Sequence, residues 1–284
     1  MRVDLPDFLE CGEIARLIPV AHATQKERCA VSVLLATLMV VRPFAQAVLS
    51  TIDRQIGQLA SVRGFTEVVF KGQPEETNCR PDGLLIIKTP KSEWRAIIEA
   101  KLGPAKIEPE QLASYCRLAR ENQLDAIITL SNEFSVLPNH PPYPVPSELR
   151  GKVELYHWSW RRLVTEAILL LSGSDPFDRE QQYILKEMLR YFTHENVDVR
   201  GFHQMNPEWG GLVSKVLAGA ELGRSDANVI EKTIRAWHQE QQDLCLLLCR
   251  DLKLPVSLRM SRHHRQSQEA ILRTMLGSSS PLSA

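Results

Sequence analysis

The segment from Arg80 to Lys101 constrains the fold of this chain more than any other. Two apolar runs, RPDGLLIIK and EWRAIIEAK, flank the polar stretch TPKS, which has proline at the second position of a turn. A turn over Thr89–Ser92 predicts an antiparallel hairpin that pairs Lys88 with Glu93. One face of this hairpin is then apolar and is expected to pack on a core, because strand side chains alternate between faces.

The other face of the hairpin carries charges at its open end. In this register Asp82 lies opposite Glu99, and Lys101 projects from the same face. Like charges on paired strands destabilise a sheet, and a bound divalent cation would remove that repulsion. Magnesium prefers one or two carboxylates together with water and phosphate oxygens. The alternative is a solvent-exposed sheet edge that carries these residues without a function.

The motif in this hairpin resembles that of a nuclease superfamily. Pro81-Asp82 is followed, after a 16-residue spacer, by Glu99-Ala100-Lys101, which resembles the PD-(D/E)XK superfamily. A predicted helix with Gln111 and Tyr115 one turn apart comes next, and then the strand LDAIITLS. The resemblance covers residues 40–170 in round terms. Pro-Asp and Glu-x-Lys are each common in proteins, so the resemblance depends on the placement of the two halves on paired strands.

The resemblance implies a role for each residue of the motif. Asp82 and Glu99 would ligate Mg²⁺, or Mn²⁺ in its place, and the carbonyl of Ala100 would be a further ligand. Lys101 would orient or activate the attacking water and neutralise charge near the scissile phosphate. Gln111 would face the site, where the alternative is an exposed glutamine in the first turn of a helix. The implied reaction is hydrolysis of a phosphodiester.

The chain departs from the superfamily pattern on the first core helix, where many members carry a further acid. We expect a helix over Phe44–Leu59 from its apolar spacing. It offers only Asp53, or Gln46 as a neutral substitute. Glu67, on the first predicted strand of the sheet, is another candidate.

The fold predicted for the chain is α/β. We expect a restriction-endonuclease-like core with a mixed sheet of about five strands, flanked by helices. The helix over Pro109–Gln123 should cross over between parallel strands, as βαβ units do. The predicted strands are Thr66–Phe70, Arg80–Lys88, Glu93–Lys101, Leu124–Ser131 and Lys152–Trp158.

Two regions are predicted along the chain. Residues 1–171 comprise N-terminal helices, over residues 1–60, and the nuclease-like domain, whose core covers about 40–171. The stretch SGSDP favours a boundary at residue 172. Residues 172–284 are expected to be helical, with one helix starting at Ser225 or Asp226 and a disordered tail.

A basic cluster near the C-terminus is a candidate nucleic-acid contact. The sequence LRMSRHHR contains Arg259, Arg262, His263, His264 and Arg265, and cations of this kind bind phosphates. The alternative is an ordinary solvated basic stretch. A metal site at the two histidines would need partners that the sequence does not identify.

Composition excludes several classes of protein. Lysine plus arginine and aspartate plus glutamate are each 34, and 44% of residues are hydrophobic, which excludes a disordered chain and a globally basic nucleic-acid coat. None of the six cysteines forms a CxxC pair, so we expect reduced thiols and a cytoplasmic protein. The longest apolar run, Cys29–Val41, is too short to span a bilayer, so no membrane partner is expected.

Trp158 and Trp160 are interpreted as core anchors, not base-stacking residues.

The sequence therefore predicts a magnesium-dependent nuclease. DNA is the expected substrate and RNA the alternative, with a restriction or defence role by analogy with the superfamily. A homodimer or a protein partner is compatible with the neutral charge. A second hypothesis is a catalytically inactive nuclease-fold module for nucleic-acid binding or assembly. A third is a helical interaction protein with an incidental α/β domain.

Overall fold

The computed structural model describes residues 5–19, 25–72, 80–135, 137–143, 145, 153–173, 177–220 and 222–258. The chain divides into two compact units, residues 1–200 and 201–284. The first unit is an α/β fold with a mixed six-stranded sheet, and the described part of the second is helical. The predicted α/β class and helical C-terminal region are confirmed.

The six strands lie in the sheet in the same order as in the sequence. The first four form antiparallel pairs, whereas β4, β5 and β6 run parallel to one another. Their bounds are β1 Leu9–Ile14, β2 Ser61–Phe70, β3 Gly83–Lys88, β4 Glu93–Ala100, β5 Ala126–Ser131 and β6 Glu154–Ser159.

Among the described residues, five α-helices belong to the first unit and two to the second. In the first unit they are α1 Lys26–Val40, α2 Arg42–Ser50, α3 Pro109–Glu121, α4 Trp160–Ser172 and α5 Arg179–Phe192. In the second they are α6 Trp209–Leu217 and α7 Ala227–Leu252. The helix predicted to start at Ser225 or Asp226 agrees with α7, which a short 3₁₀ turn precedes.

The predicted hairpin register is confirmed. Lys88 pairs with Glu93, and the pairing continues to Gly83 opposite Ile98. Leu85 and Ile98 face a core formed with α1, α2, α4 and α5. The opposite face of the sheet packs against α3. Helix α3 then leads from β4 into β5, which pairs with β4 in parallel as expected.

The sheet has six strands instead of about five because the N-terminal segment is not all helical. Residues Leu9–Ile14 form β1, an edge strand antiparallel to β2. Only Leu9 of this strand is buried, so LECGEI lacks the apolar alternation that predicts a strand. The pairing of β1 with β2 holds it in place instead. Strand β2 also begins earlier than predicted, at Ser61.

The chain divides between Arg200 and Gly201, further along than the predicted boundary at residue 172. Helix α5 accounts for the difference. Its side chains Leu185, Met188 and Phe192 are each at most 2% exposed and lie in the same core as α1 and α4. The amphipathic spacing of α5 therefore serves the α/β unit.

Helices α1 and α2 lie at an angle of 109° to each other. Pro43 lies in the first turn of α2, and the chain bends just before it. Within the described residues, no single helix is long and apolar enough to cross a bilayer. The bent α1–α2 pair meets that test jointly, by length and composition only.

Candidate active site

Asp82 immediately precedes β3 and faces the end of β4. The backbone N–H of Ala100 donates a hydrogen bond of 2.9 Å to Asp82 Oδ2. This contact ties the carboxylate to the same strand end that carries Glu99 and Lys101. The hairpin register thus brings together the two halves of the predicted motif.

Glu99 is buried, with 3% of its surface exposed. Its Oε1 atom accepts hydrogen bonds of 2.6 Å from both Lys101 Nζ and Gln111 Nε2. Burying a carboxylate is costly unless it is paired and hydrogen-bonded. The alternative of a solvent-exposed sheet edge does not describe this residue, since the acid is enclosed by two donors.

Helix α3 supplies the polar side chains on the other side of Glu99. Gln111 and Tyr115 are one turn apart, and Gln111 Nε2 lies 3.3 Å from the Tyr115 hydroxyl. That hydroxyl donates to the carbonyl of Arg80 at 3.1 Å. Burial raises the pKa of Tyr115 above its ordinary value, which keeps the hydroxyl protonated as a donor. Helix α3 is thereby hydrogen-bonded both to Glu99 and to Arg80, the residue just before Pro81-Asp82.

The electrostatics of the site centre on Asp82. Burial, followed by the charges of Glu99 and Glu27, raises its pKa from the ordinary range to about 7. The Ala100 N–H and the Lys101 ammonium act in the opposite direction. A carboxyl held among other carboxylates takes up a proton or a cation to relieve the repulsion.

Glu27 is the acid near Asp82 that the sequence analysis missed. It lies in the first turn of α1, close enough for its charge to act on Asp82. The predicted helix over Phe44–Leu59 was expected to carry the acid, but the helix found there, α2, ends at Ser50. Glu27 could have been found from the sequence as an acid just before the apolar run Cys29–Val41. That run lies in α1, the helix that packs on β2 and β3.

The three residues predicted as candidates for the further acid make other contacts or are exposed. Gln46 is on α2 and donates to the carbonyl of Ile56 at 3.2 Å. Asp53 is exposed in the turn after α2, at a φ of 58°. Glu67 is on β2, at a φ of 54°, and forms an ion pair with Arg28.

Asp82 and Glu99 fit a hard divalent cation. Both donate carboxylate oxygens at the end of one hairpin, and the repulsion that raises the pKa of Asp82 would be relieved by a positive charge. Within the described residues, no three His, Cys, Asp or Glu side chains are grouped so as to hold an ion. Water and a substrate phosphate would therefore have to complete the coordination, as magnesium prefers.

The other predicted residues form three sets. Ala100 is fully buried at the end of β4, and a ligand role for its carbonyl stays a prediction. The basic residues Arg259, Arg262, His263 and Arg265 lie outside the described residues. Trp158 and Trp160 are buried in the core, as predicted.

Comparisons of the chain with protein-family models, with curated proteins and with solved structures gave no match. The function proposed for the chain therefore rests on the geometry of the site.

Proposed function

We propose that this chain is a metal-dependent nuclease of the PD-(D/E)XK type, with a restriction-endonuclease-like core, that hydrolyses phosphodiester bonds in DNA. The observation that supports this most directly is the grouping of Asp82, Glu99 and Lys101 at one end of the β3–β4 hairpin. Glu99 is buried there and bonded to the lysine at 2.6 Å. A buried ion pair of this kind contributes little to stability on average, so a role in binding or catalysis accounts for it better.

Asp82 and Glu99 would hold Mg²⁺ or Mn²⁺, with the Ala100 carbonyl as a further ligand. When bound, such an ion polarises a phosphate and lowers the pKa of its water. The protein residues have separate tasks. Lys101 places a positive charge beside the carboxylates, where it can orient water and neutralise the phosphate. Gln111 fixes the orientation of Glu99 through the hydrogen bond to Oε1.

Glu27 is proposed as the further acid of the site. Its position in the first turn of α1 puts its charge close enough to raise the pKa of Asp82. We expect Glu27→Gln to lower the cleavage rate by roughly 10- to 100-fold, as for residues that support metal ligands. Glu10→Gln, on the exposed surface of β1, is the matched control and should retain the wild-type rate.

A nuclease assay tests the proposal. Purified protein is incubated with linear, circular and single-stranded DNA and with RNA, in Mg²⁺, Mn²⁺ or EDTA. We expect metal-dependent cleavage of DNA, and a loss of at least about 100-fold in Lys101→Ala and in Asp82→Asn.

Asp125→Asn is the matched control for Asp82→Asn. Asp125 also accepts a hydrogen bond from a β4 backbone N–H, that of Arg95 at 2.7 Å, but at the other end of the strand. Cleavage that survives Lys101→Ala and Asp82→Asn, or falls equally in Asp125→Asn, would contradict the proposal.

The second candidate is an inactive nuclease-fold module. It is favoured by the saturation of Glu99 Oε1 with two donors from the protein itself. Calorimetric titration of the folded protein with Mn²⁺ separates the two. An inactive module need not bind the ion, whereas the proposed nuclease should bind it and lose binding in Asp82→Asn.

A further inference from the structure

The turn that follows β4 carries Lys101 and is held on both sides by hydrogen bonds. The Lys101 N–H donates to the Leu130 carbonyl at 2.8 Å, which extends the β4–β5 pairing by one residue. The Lys101 carbonyl accepts from the indole N–H of Trp160 at 2.9 Å. Both polar groups of the Lys101 backbone therefore have partners in neighbouring elements.

The other end of this turn is fixed as well. The Gly103 N–H donates to the Asp198 carbonyl at 3.2 Å, and the Gly103 carbonyl accepts from Asn132 Nδ2 at 3.1 Å. Gly103 has a φ of +60°, and a Cβ there would lie 2.3 Å from the Asp198 carboxylate. The turn is thus closed at both ends by side chains and backbone from β6–α4, the end of β5 and the segment after α5.

Trp160 is itself a rigid donor. It is the first residue of α4, with 1% of its surface exposed, and its ring lies 5.2 Å from that of Phe192, between centroids. Ser159 caps the same helix by accepting from the Arg162 N–H. The indole N–H therefore points at the Lys101 carbonyl from a fixed place in the core.

We propose that Trp160 is a positioning residue for Lys101, a role that rests on the proposed nuclease function. The hydrogen bond fixes the peptide from which the Lys101 side chain leaves the sheet, and so fixes the reach of its ammonium toward Glu99 and the substrate. Because small displacements of a catalytic group reduce rates strongly, loss of this one donor should lower kcat and leave KM unchanged.

A purely structural role for Trp160 gives a different expectation. A core anchor contributes through its ring, so replacement with another aromatic residue would change stability and leave the chemistry alone. Trp158 provides the matched control. It is 3% exposed in the same core and donates its indole N–H to Thr51 Oγ1 at 3.1 Å, away from Lys101.

The experiment compares Trp160→Phe with Trp158→Phe in single-turnover cleavage of DNA. We expect Trp160→Phe to lower the rate at saturating DNA by roughly 10- to 100-fold with an unchanged half-saturation concentration. Trp158→Phe should match wild type. In a Lys101→Ala background Trp160→Phe should have no further effect, because a residue that acts through Lys101 is not additive with its loss.

Hydrogen exchange supplies a readout that does not depend on activity. Peptides covering the Lys101–Gly103 turn should exchange faster in Trp160→Phe than in Trp158→Phe. If Trp160→Phe does not fold, benzothienylalanine at position 160 keeps the bicyclic ring and removes only the N–H donor.

Two results would overturn the inference. In an active protein, equal rates and equal exchange for the two tryptophan variants would leave Trp160 a core residue only. A wild-type protein that cleaves no substrate in any metal would overturn the proposed function, and the positioning role with it. The two failures are distinguishable because only the second abolishes wild-type cleavage.

Discussion

Burial, followed by the charges of Glu99 and Glu27, raises the pKa of the Asp82 carboxyl to about 7. A carboxyl with a folded-state pKa above its unfolded value of about 3.9 favours folding when it is protonated. That contribution is complete below pH of about 4 and is lost as the pH rises through about 7. In the metal-free protein, the ionised Asp82 therefore lowers the free energy of unfolding at neutral pH.

The replacement Asp82→Asn tests this effect. The amide oxygen can still accept from the Ala100 N–H, but the charge is gone. In EDTA at pH 8 we expect the variant to melt a few degrees above wild type, since 1 kcal/mol corresponds to about 2–4 °C in domains of 150–250 residues. The difference should vanish at pH 4. Melting curves of both proteins at the two pH values measure this difference. An increase in melting temperature that is equal at pH 4 and pH 8 would contradict a raised pKa for Asp82.

His157 shows the opposite pH behaviour, in a place that the proposed chemistry does not use. It is 1% exposed. Its Nε2 lies 2.9 Å from the Glu133 carbonyl, and its Nδ1 lies 2.9 Å from Thr129 Oγ1. Since a carbonyl only accepts, Nε2 carries the proton and Nδ1 accepts from the threonine hydroxyl. The ring thus ties β5 and β6 to the segment after β5 as a neutral group.

Burial lowers the pKa of His157 to about 4. A depressed folded-state pKa means that the stability is present above the unfolded value of about 6.5 and is lost as the pH falls toward 4. Between pH 7 and 5 we expect wild type to lose about 2 kcal/mol of unfolding free energy relative to His157→Gln. Glutamine keeps a donor for the Glu133 carbonyl. Urea unfolding at both pH values measures the difference, and a constant difference would show that His157 does not titrate as proposed.

At the scale of elements, helix α1 reaches the site because the sheet beneath it has glycines. A Cβ on Gly83, the residue after Asp82, would lie 2.6 Å from Val31 Cγ1 and 2.9 Å from Leu35 Cδ1. A Cβ on Gly64 would lie 2.7 Å from Leu35 Cβ. The close approach of α1 to β2 and β3 places Glu27, one turn before Val31, within range for its charge to act on Asp82.

The replacement Gly83→Ala tests the dependence of the site on this packing. The added methyl must displace α1, and we expect a loss of roughly 1–3 kcal/mol in unfolding free energy, as for overpacked cores, together with reduced cleavage. Gly57→Ala is the control, because nothing lies within 4 Å of a Cβ there. Equal stability of the two variants would mean that α1 is not held as close as described.

The sequence was sufficient for the central elements because their signals are local. The apolar alternation and the turn proline specify the β3–β4 register, and the proline in the first turn of α3 with its apolar spacing specifies that helix. Strand β1 depends on its pairing with β2, and Glu27 depends on the packing of α1 over Gly83. The Trp160–Lys101 contact joins residues 59 positions apart. Such contacts arise from tertiary packing, which a single sequence does not display.

At the scale of the whole molecule, the α/β unit extends through α5 to Arg200. The segment after α5 contributes directly to the turn that carries Lys101, since the Asp198 carbonyl accepts from the Gly103 N–H and from Asn132 Nδ2. Residues between the predicted boundary at 172 and Arg200 therefore serve both the core and the candidate site.

The extent of the α/β unit to Arg200 predicts how shortened chains behave. A chain of residues 1–171 lacks Leu185, Met188 and Phe192, whose burial is worth roughly 1.5–3 kcal/mol each. Their combined loss approaches the whole stability of a typical domain, about 5–15 kcal/mol. We expect residues 1–200 to unfold cooperatively on heating and to resist limited proteolysis, and residues 1–171 to do neither. A cooperative, protease-resistant 1–171 chain would place α5 outside the folded unit. A 1–200 chain that fails to fold would show that the second unit is needed for the first.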